Sequence, residues 1–82
     1  SINESKLNKS DIEYQLSLDI SGNTKPKVKR LTKKEIEIRF GYKVEPDDVI
    51  DSIKSTNADI ELKHVEWKRA LSNGGTHTFK II

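Results

Sequence analysis

The most concentrated chemistry in this 82-residue chain is a run of positive charge, because residues 25–34 hold six basic side chains and no acidic one. Lysine and arginine side chains placed on phosphates release counterions, which gives an affinity for nucleic acid that falls with salt. The run lacks the aromatic residues that single-strand-binding proteins use for base stacking. It therefore predicts phosphate contacts of low sequence specificity, with a solvated loop as the alternative interpretation. The predicted nucleic-acid-binding residues are Lys25, Lys27, Lys29, Arg30, Lys33 and Lys34.

A second charged segment, residues 44–62, has six acidic residues against one lysine. Asp47 and Asp48 follow Pro46, a residue common at the first position of a helix, so their carboxylates would face the positive end of the helix dipole. The spacing does not match an EF-hand loop, which needs a glycine and a closing glutamate at set positions. We expect a solvated helix surface here, with a basic partner or a cation site as the functional alternatives.

Catalytic and metal chemistry have little support in the sequence. The chain has no cysteine, which excludes thiolate nucleophiles and cysteine-based zinc sites. We expect both histidines, His64 and His77, on strand surfaces rather than as metal ligands or catalytic bases. The segment 73–75 is typical of a turn rather than of a phosphate-binding loop. We predict a non-enzymatic protein with no catalytic residue, no metal site and no cofactor.

Composition limits the size of the core. Hydrophobic residues make up 33% of the chain and charged residues 34%, which is leaner in apolar residues than a typical globular domain. A chain of this length is one domain, and a thin core suits one sheet covered by a helix better than two packed sheets. No apolar run approaches the ~18 residues of a membrane span. Because the chain starts without Met, we expect a processed product or a piece of a longer chain.

The first half of the chain is predicted to hold two strands joined by a long connection. Residues 12–20 alternate strictly between apolar and polar side chains, the pattern of a strand with one buried face. Residues 35–44 alternate in the same way, although a capping-box pattern at 32–35 would instead start a helix over 32–41. We choose the strand, because its residues are β-branched or aromatic on the apolar face. The basic run then lies in the connection 21–34, as a loop or as a basic β-ribbon.

The second half is predicted to be a helix over 46–56 followed by a hairpin. A change in the phase of alternation near 63–64 indicates a bulge. A three-residue loop at 73–75 would pair Trp67 with Ile81 and gather the apolar side chains of the hairpin on one face. The remaining aromatic residues fall on the apolar faces of the predicted strands and are expected in the core: Tyr14, Phe40 and Tyr42.

The predicted fold is α+β, with one antiparallel sheet of about four strands and one helix packed on a face, in the order β-β-α-β-β. It occupies residues 11–82 and follows a flexible N-terminal arm at 1–10. Keeping the capping-box helix gives a winged helix-turn-helix as the alternative, but its recognition helix would carry aspartates that repel phosphates.

The charge pattern and the thin core support two functions of different classes. The leading hypothesis is a small non-enzymatic binding module that contacts nucleic-acid phosphates through the basic loop at 25–34. The alternative is a protein–protein interaction module, such as an adaptor, an inhibitor, a domain of a larger assembly or a homo-oligomer. It would act through a sheet face, a sheet edge or the acidic helix. Neither hypothesis involves a membrane.

Overall fold

The computed structural model describes residues 7–20, 22, 24–70 and 73–82. The elements are α1 (Lys9–Asp19), β1 (Lys27–Leu31), β2 (Glu35–Phe40), α2 (Pro46–Thr56), β3 (Leu62–Arg69) and β4 (Gly75–Ile81). The strands form one antiparallel sheet in the order β1-β2-β4-β3. The helices contact each other, and α1 also contacts β1 while α2 contacts β3. The predicted class, an α+β domain with one four-stranded antiparallel sheet, is confirmed, but two helices rather than one cover the sheet.

The prediction of a strand at 12–20 is wrong, because the chain forms α1 there. Asn8 begins the helix, since its side-chain oxygen accepts the backbone N–H of Asp11 at 3.2 Å, as an N-cap residue does. The 11 residues of α2 are too few to cover one face of four strands. A second helix, α1, is therefore needed to bury the rest of the apolar face of the sheet. α1 begins inside the predicted arm 1–10, of which residues 1–6 lie outside the described residues.

The alternating apolar residues of α1 are divided between two sides of the helix. Ile12 and Leu16, one turn apart, are buried in the core. Tyr14 and Leu18 lie on the other side, with exposed fractions of 66% and 61%, so the expectation of Tyr14 in the core is wrong. The pattern that indicated a strand therefore leaves half of its apolar side chains exposed to water when it is wound into a helix.

The basic run forms β1 over 27–31, so the β-ribbon interpretation describes it better than the loop. The predicted strand at 35–44 is confirmed for residues 35–40, which are β2. Thr32 lies in the turn between these strands, and its hydroxyl oxygen accepts the backbone N–H of Glu35 at 3.0 Å. This is the contact that a capping box makes, but here it closes a hairpin turn instead of starting a helix.

α2 has the bounds of the predicted helix, 46–56, and two polar contacts hold the helical layer together. The Ser52 hydroxyl of α2 donates a hydrogen bond to Oδ2 of Asp19 at 2.7 Å, at the end of α1. Glu13 of α1 accepts the backbone N–H of Val28 on its Oε2 at 2.8 Å. α1 is therefore attached both to α2 and to the edge strand β1.

The hairpin of β3 and β4 contains the predicted bulge, which lies between His64 and Glu66. Its register differs from the predicted one, because Trp67 pairs with His77 instead of Ile81. A shift of four residues leaves each side chain on its predicted face. Trp67 and Ile81 consequently still share the face of the sheet that is turned toward the helices.

Close packing of two glycines explains the register. Ala70 donates its backbone N–H to the carbonyl oxygen of Gly74 at 2.9 Å, so the hairpin closes earlier than the predicted loop at 73–75; residues 71 and 72 are outside the described residues. A Cβ atom on Gly74 would collide with the backbone at the end of β2, and one on Gly75 would come within 2.5 Å of an indole ring of β3. Both glycines therefore permit close contacts with neighbouring strands, and Gly74 also accepts the hydrogen bond that closes the turn.

The core lies between the helices and one face of the sheet, which we call the inner face. Phe40 is fully buried there, as expected. The other side of the sheet, the open face, is covered by neither helix. The largest fully buried side chains are Phe40, Phe79, Leu16, Ile36, Ile38, Ile53 and Val49.

Two leucines of α1 test the helix directly. In a strand over 12–20, Leu16 and Leu18 would share the buried face, whereas in α1 only Leu16 is buried. We expect Leu16→Ala to lower the free energy of unfolding by about 2–5 kcal/mol and Leu18→Ala to lower it by less than about 0.5 kcal/mol, as measured by urea unfolding. Equal losses for the two variants would contradict the helix.

Candidate nucleic-acid interface

The open face carries a row of positive side chains that crosses the whole sheet. Residues paired directly across antiparallel strands point to the same face, and the register aligns one outward residue from each strand: Lys27, Arg39, Thr76 and Lys68. We call these four residues the cationic row. With strands about 4.8 Å apart, the row spans about 14 Å. Its lysines and its arginine are all exposed.

Two further rows follow along the strands and mix positive and negative charges. Together, the outward positions paired across the sheet hold six basic and three acidic residues, so the open face is positive overall. The second row is Arg30, Glu37, Thr78 and Glu66, and the third is Glu35, Lys80 and Lys63.

Half of the described acidic residues belong to the helices, on the opposite side of the molecule. Within α1 and α2, six acidic residues stand against two lysines. Basic and acidic segments alternate along the chain, but in the fold their charges are separated. The open face is positive, and the layer formed by α1 and α2 is negative. Such a separation orients an approaching polyanion toward the positive side.

The side chains of the cationic row are not neutralised by neighbours. Two ion pairs occur in the described part of the chain, and one of them, Arg30 with Glu35 at 3.7 Å, lies on the open face. Its side chains are 61% and 40% exposed, and an exposed pair of this kind is weak. None of the described acids forms an ion pair with Lys27, Arg39 or Lys68, so these charges are available to a ligand.

The structure distributes the six predicted basic residues along the edge of the sheet. Lys27 belongs to the cationic row, and Lys29 and Arg30 lie at the bulge of β1. Lys25 precedes β1, with a φ of 46°. The remaining two are exposed in the turn between β1 and β2: Lys33 and Lys34.

Sequence reasoning missed the basic residues that other strands contribute to the same face. The alternation of residues 35–44 puts Arg39 on the polar side of a strand, but nothing in it indicates which residues of the hairpin lie beside it. That information is the register between β2 and β4, which joins segments about 37 positions apart. The alternation of β3, with Lys63 and Lys68 on its outward side, was the available signal.

The two histidines form a hydrogen-bonded pair, and one of them is buried. His77 is 2% exposed on the inner face, so the expectation of a surface position is wrong for it. Its Nε2 is 2.7 Å from the carbonyl oxygen of Val44, which can only accept, so Nε2 carries a proton. In neutral His77, Nδ1 then accepts a hydrogen bond from Nε2 of His64 at 2.8 Å.

Burial lowers the pKa of His77 below its ordinary value of 6.5, because the charged ring would lose its hydration. The hydrogen bond to Val44 acts in the opposite direction but is the smaller effect, and the charge of His64 adds a further lowering of this pKa. The Trp67 ring lies against the imidazole, with the two ring centroids 4.3 Å apart. His77 is thus a neutral structural residue whose polar atoms are satisfied within the protein.

An open cleft of about 380 Å³ lies at one end of the sheet, beside the hairpin loop. Its lining residues are Tyr42, Lys43, Trp67, Arg69 and Asn73. Tyr42 is 56% exposed, so the expectation that it belongs to the core is wrong. The reason is that β2 ends at Phe40, and the chain beyond it no longer follows the alternation of the strand.

The buried histidine makes stability depend on pH. Because the pKa of His77 is lowered on folding, the unfolded chain binds the proton more tightly, and stability is lost as pH falls below 6.5. We expect the urea midpoint to fall between about pH 7.5 and about pH 5.5 and to fall less in His77→Gln, which keeps a donor for Val44 but does not titrate. A midpoint that rises on acidification would contradict this assignment.

In the described residues, no group of three or more histidine and carboxylate side chains is placed to hold a metal ion, and no helix is long and apolar enough to cross a membrane. The chain matches no protein-family model, and no curated protein or solved structure shows significant similarity to it. A proposal for its function therefore has to be based on the geometry of the described residues.

Proposed function

We propose that this protein is a small non-enzymatic module that binds the phosphate backbone of nucleic acid across the open face of its sheet. The observation that carries the proposal is the cationic row, in which the pairing of four strands aligns Lys27, Arg39 and Lys68. These side chains are exposed. The basic run at 25–34 is one edge of this larger surface.

The shape and charge of the open face suit a polyanion with closely spaced phosphates. Double-stranded DNA carries one negative charge per about 1.7 Å of its axis, so a row about 14 Å long faces several phosphates at once. Thr76, in the middle of the row, adds a hydroxyl of the kind that hydrogen-bonds phosphate oxygens. The negative charge of the helices disfavours binding over α1 and α2.

The same face favours low sequence specificity. Among the described residues, no aromatic side chain occupies an outward strand position. The exposed apolar side chain near this face is Val65, at the bulge of β3. Sequence is read through base edges or through stacked bases, and the described part of this face offers no aromatic ring on which a base could stack. The expected binding depends strongly on salt and weakly on sequence.

A protein–protein interaction module is the second candidate, and exposed Tyr14 and Leu18 on α1 favour it. These two side chains are one helical turn apart and form an apolar patch that a second copy of the chain could cover. The patch is small beside the ~800 Å² that each partner buries in a standard interface. Strand addition is disfavoured, because both edge strands carry a bulge and basic residues.

The decisive variants remove charges outside the basic run of the sequence. We expect Arg39→Ala with Lys68→Ala to weaken binding of a short mixed-sequence DNA duplex about tenfold or more at low salt. The slope of log affinity against log salt should become shallower by about 0.9 for each phosphate that the variant no longer neutralises. Fluorescence anisotropy at several salt concentrations measures both quantities.

The matched control is Lys9→Ala with Lys54→Ala, which removes the same charge from the helical layer. We expect this control to retain most of the affinity. Equal weakening by the two double variants would show that net charge alone governs binding. Absence of binding by the unaltered protein at low salt would overturn the proposed function.

A further inference from the structure

The cleft at the end of the sheet has a different chemistry from the open face. Among the described residues that line it, aromatic rings and cations stand together with one amide and no acidic side chain: Tyr42, Trp67, Lys43, Arg69 and Asn73. Its volume of about 380 Å³ falls in the lower part of the range for small-ligand sites, about 300–1,000 Å³. A ligand that combines a flat aromatic ring with negative charge would satisfy all of these groups.

The indole ring of Trp67 is positioned by contacts within the protein itself. Its ring lies against the imidazole of His77 at 4.3 Å between centroids and at an angle of 37°. It also passes over Gly75, where a Cβ atom would come within 2.5 Å of the indole. His77 in turn is fixed by Val44 and His64. An aromatic surface positioned in this way loses little conformational entropy when a base stacks on it.

Within the described part of the chain, the two cations of the cleft have no ion-pair partner and its tyrosine is exposed. Lys43 and Arg69 are exposed and form no ion pair with any described acid. Tyr42, with 56% of its surface exposed, is one of the few large apolar side chains left in water. Exposed aromatic residues beside cations are the combination that binds unpaired bases together with their phosphates.

The cleft and the cationic row lie at the same end of the sheet. Arg69 follows Lys68 directly, and Tyr42 lies three residues beyond Arg39. Neighbouring residues of a strand point to opposite faces, so the row and the cleft occupy the two sides of the same end of the sheet.

We infer that the cleft binds an unpaired base of a single-stranded nucleic acid, with its phosphate held by Lys43 and Arg69. This inference rests on the proposed function and adds to it a preference for single strands over duplexes. The stacking surfaces are Trp67 and Tyr42, and the side-chain amide of Asn73 can hydrogen-bond the edge of the base.

Trp67 is the one tryptophan of the chain, so its fluorescence reports on the cleft. We expect a short single-stranded oligonucleotide to quench this fluorescence and to bind more tightly than a duplex of the same length. A polyglutamate peptide of equal length, which offers charge without bases, should leave the fluorescence unchanged. Equal quenching by the peptide would overturn base recognition.

Two tyrosine variants give a matched comparison, because Tyr42 and Tyr14 are both exposed. Loss of a stacking residue weakens single-strand binding by about 1–3 kcal/mol per base, which is about 5- to 150-fold. We expect Tyr42→Ala to lose affinity for the single strand within this range while its duplex affinity stays unchanged. Tyr14→Ala, on the outer side of α1, should change neither.

The outcomes separate the two proposals. Salt-dependent binding of both nucleic acids with equal affinity, with unaltered Trp67 fluorescence, would overturn the cleft and leave the open face as the binding surface. Retention of single-strand affinity by Tyr42→Ala would also overturn the cleft. Failure of both nucleic acids to bind at low salt would overturn both proposals.

Discussion

One-sided burial of the sheet is the constraint on which the rest of this structure depends. With hydrophobic residues limited to 33% of the chain, there is enough apolar surface to cover one face of four strands and not two. Ile36, Ile38 and Phe40 turn inward along β2 and meet both helices through a shared core. Since strand side chains alternate, every inward apolar residue sends its polar neighbours to the open face. The cationic row is thus a consequence of the same alternation that builds the core.

One polar residue, His77, connects the core to the cleft at the surface. It occupies an inward position of β4, where an apolar residue would be expected, and it satisfies its two ring nitrogens with Val44 and His64. A fully bonded buried histidine avoids the cost of an unpaired polar group. Its flat ring also supports Trp67 at the rim of the cleft. The interior of the protein therefore determines the position of an aromatic surface that faces solvent.

An element could be predicted from the sequence when its local residue pattern favours the same secondary structure as its packing in the finished fold. α2 was predictable, because Pro46 and the aspartates after it favour a helix start and its apolar stripe faces the core. β2 was predictable from the alternation of its residues. The segment 12–20 was not, because its alternation fits a strand locally, whereas the need for a second helix arises only from the width of the finished sheet.

The candidate site was only partly predictable for a similar reason. The basic run of β1 is visible in the sequence, but Lys68 enters the cationic row through pairings between strands that no local pattern specifies. Gly74 and Gly75 indicated a turn, yet both also pack against neighbouring groups. The observed hairpin register differs from the predicted one by four residues. The position of Trp67 against His77 depends on that register, so no local pattern specifies it either.

The central claim is that the open face, and not the helical layer, receives nucleic acid. The most direct measurement is nuclear magnetic resonance of the isotope-labelled protein during titration with a short oligonucleotide at low salt. We expect the backbone amide signals of Lys27, Arg39, Thr76 and Lys68 to shift, and the shifts to disappear as salt is added. Signals along the outer sides of α1 and α2 should stay unchanged. Shifts confined to the helices, or no shifts at all, would contradict the account.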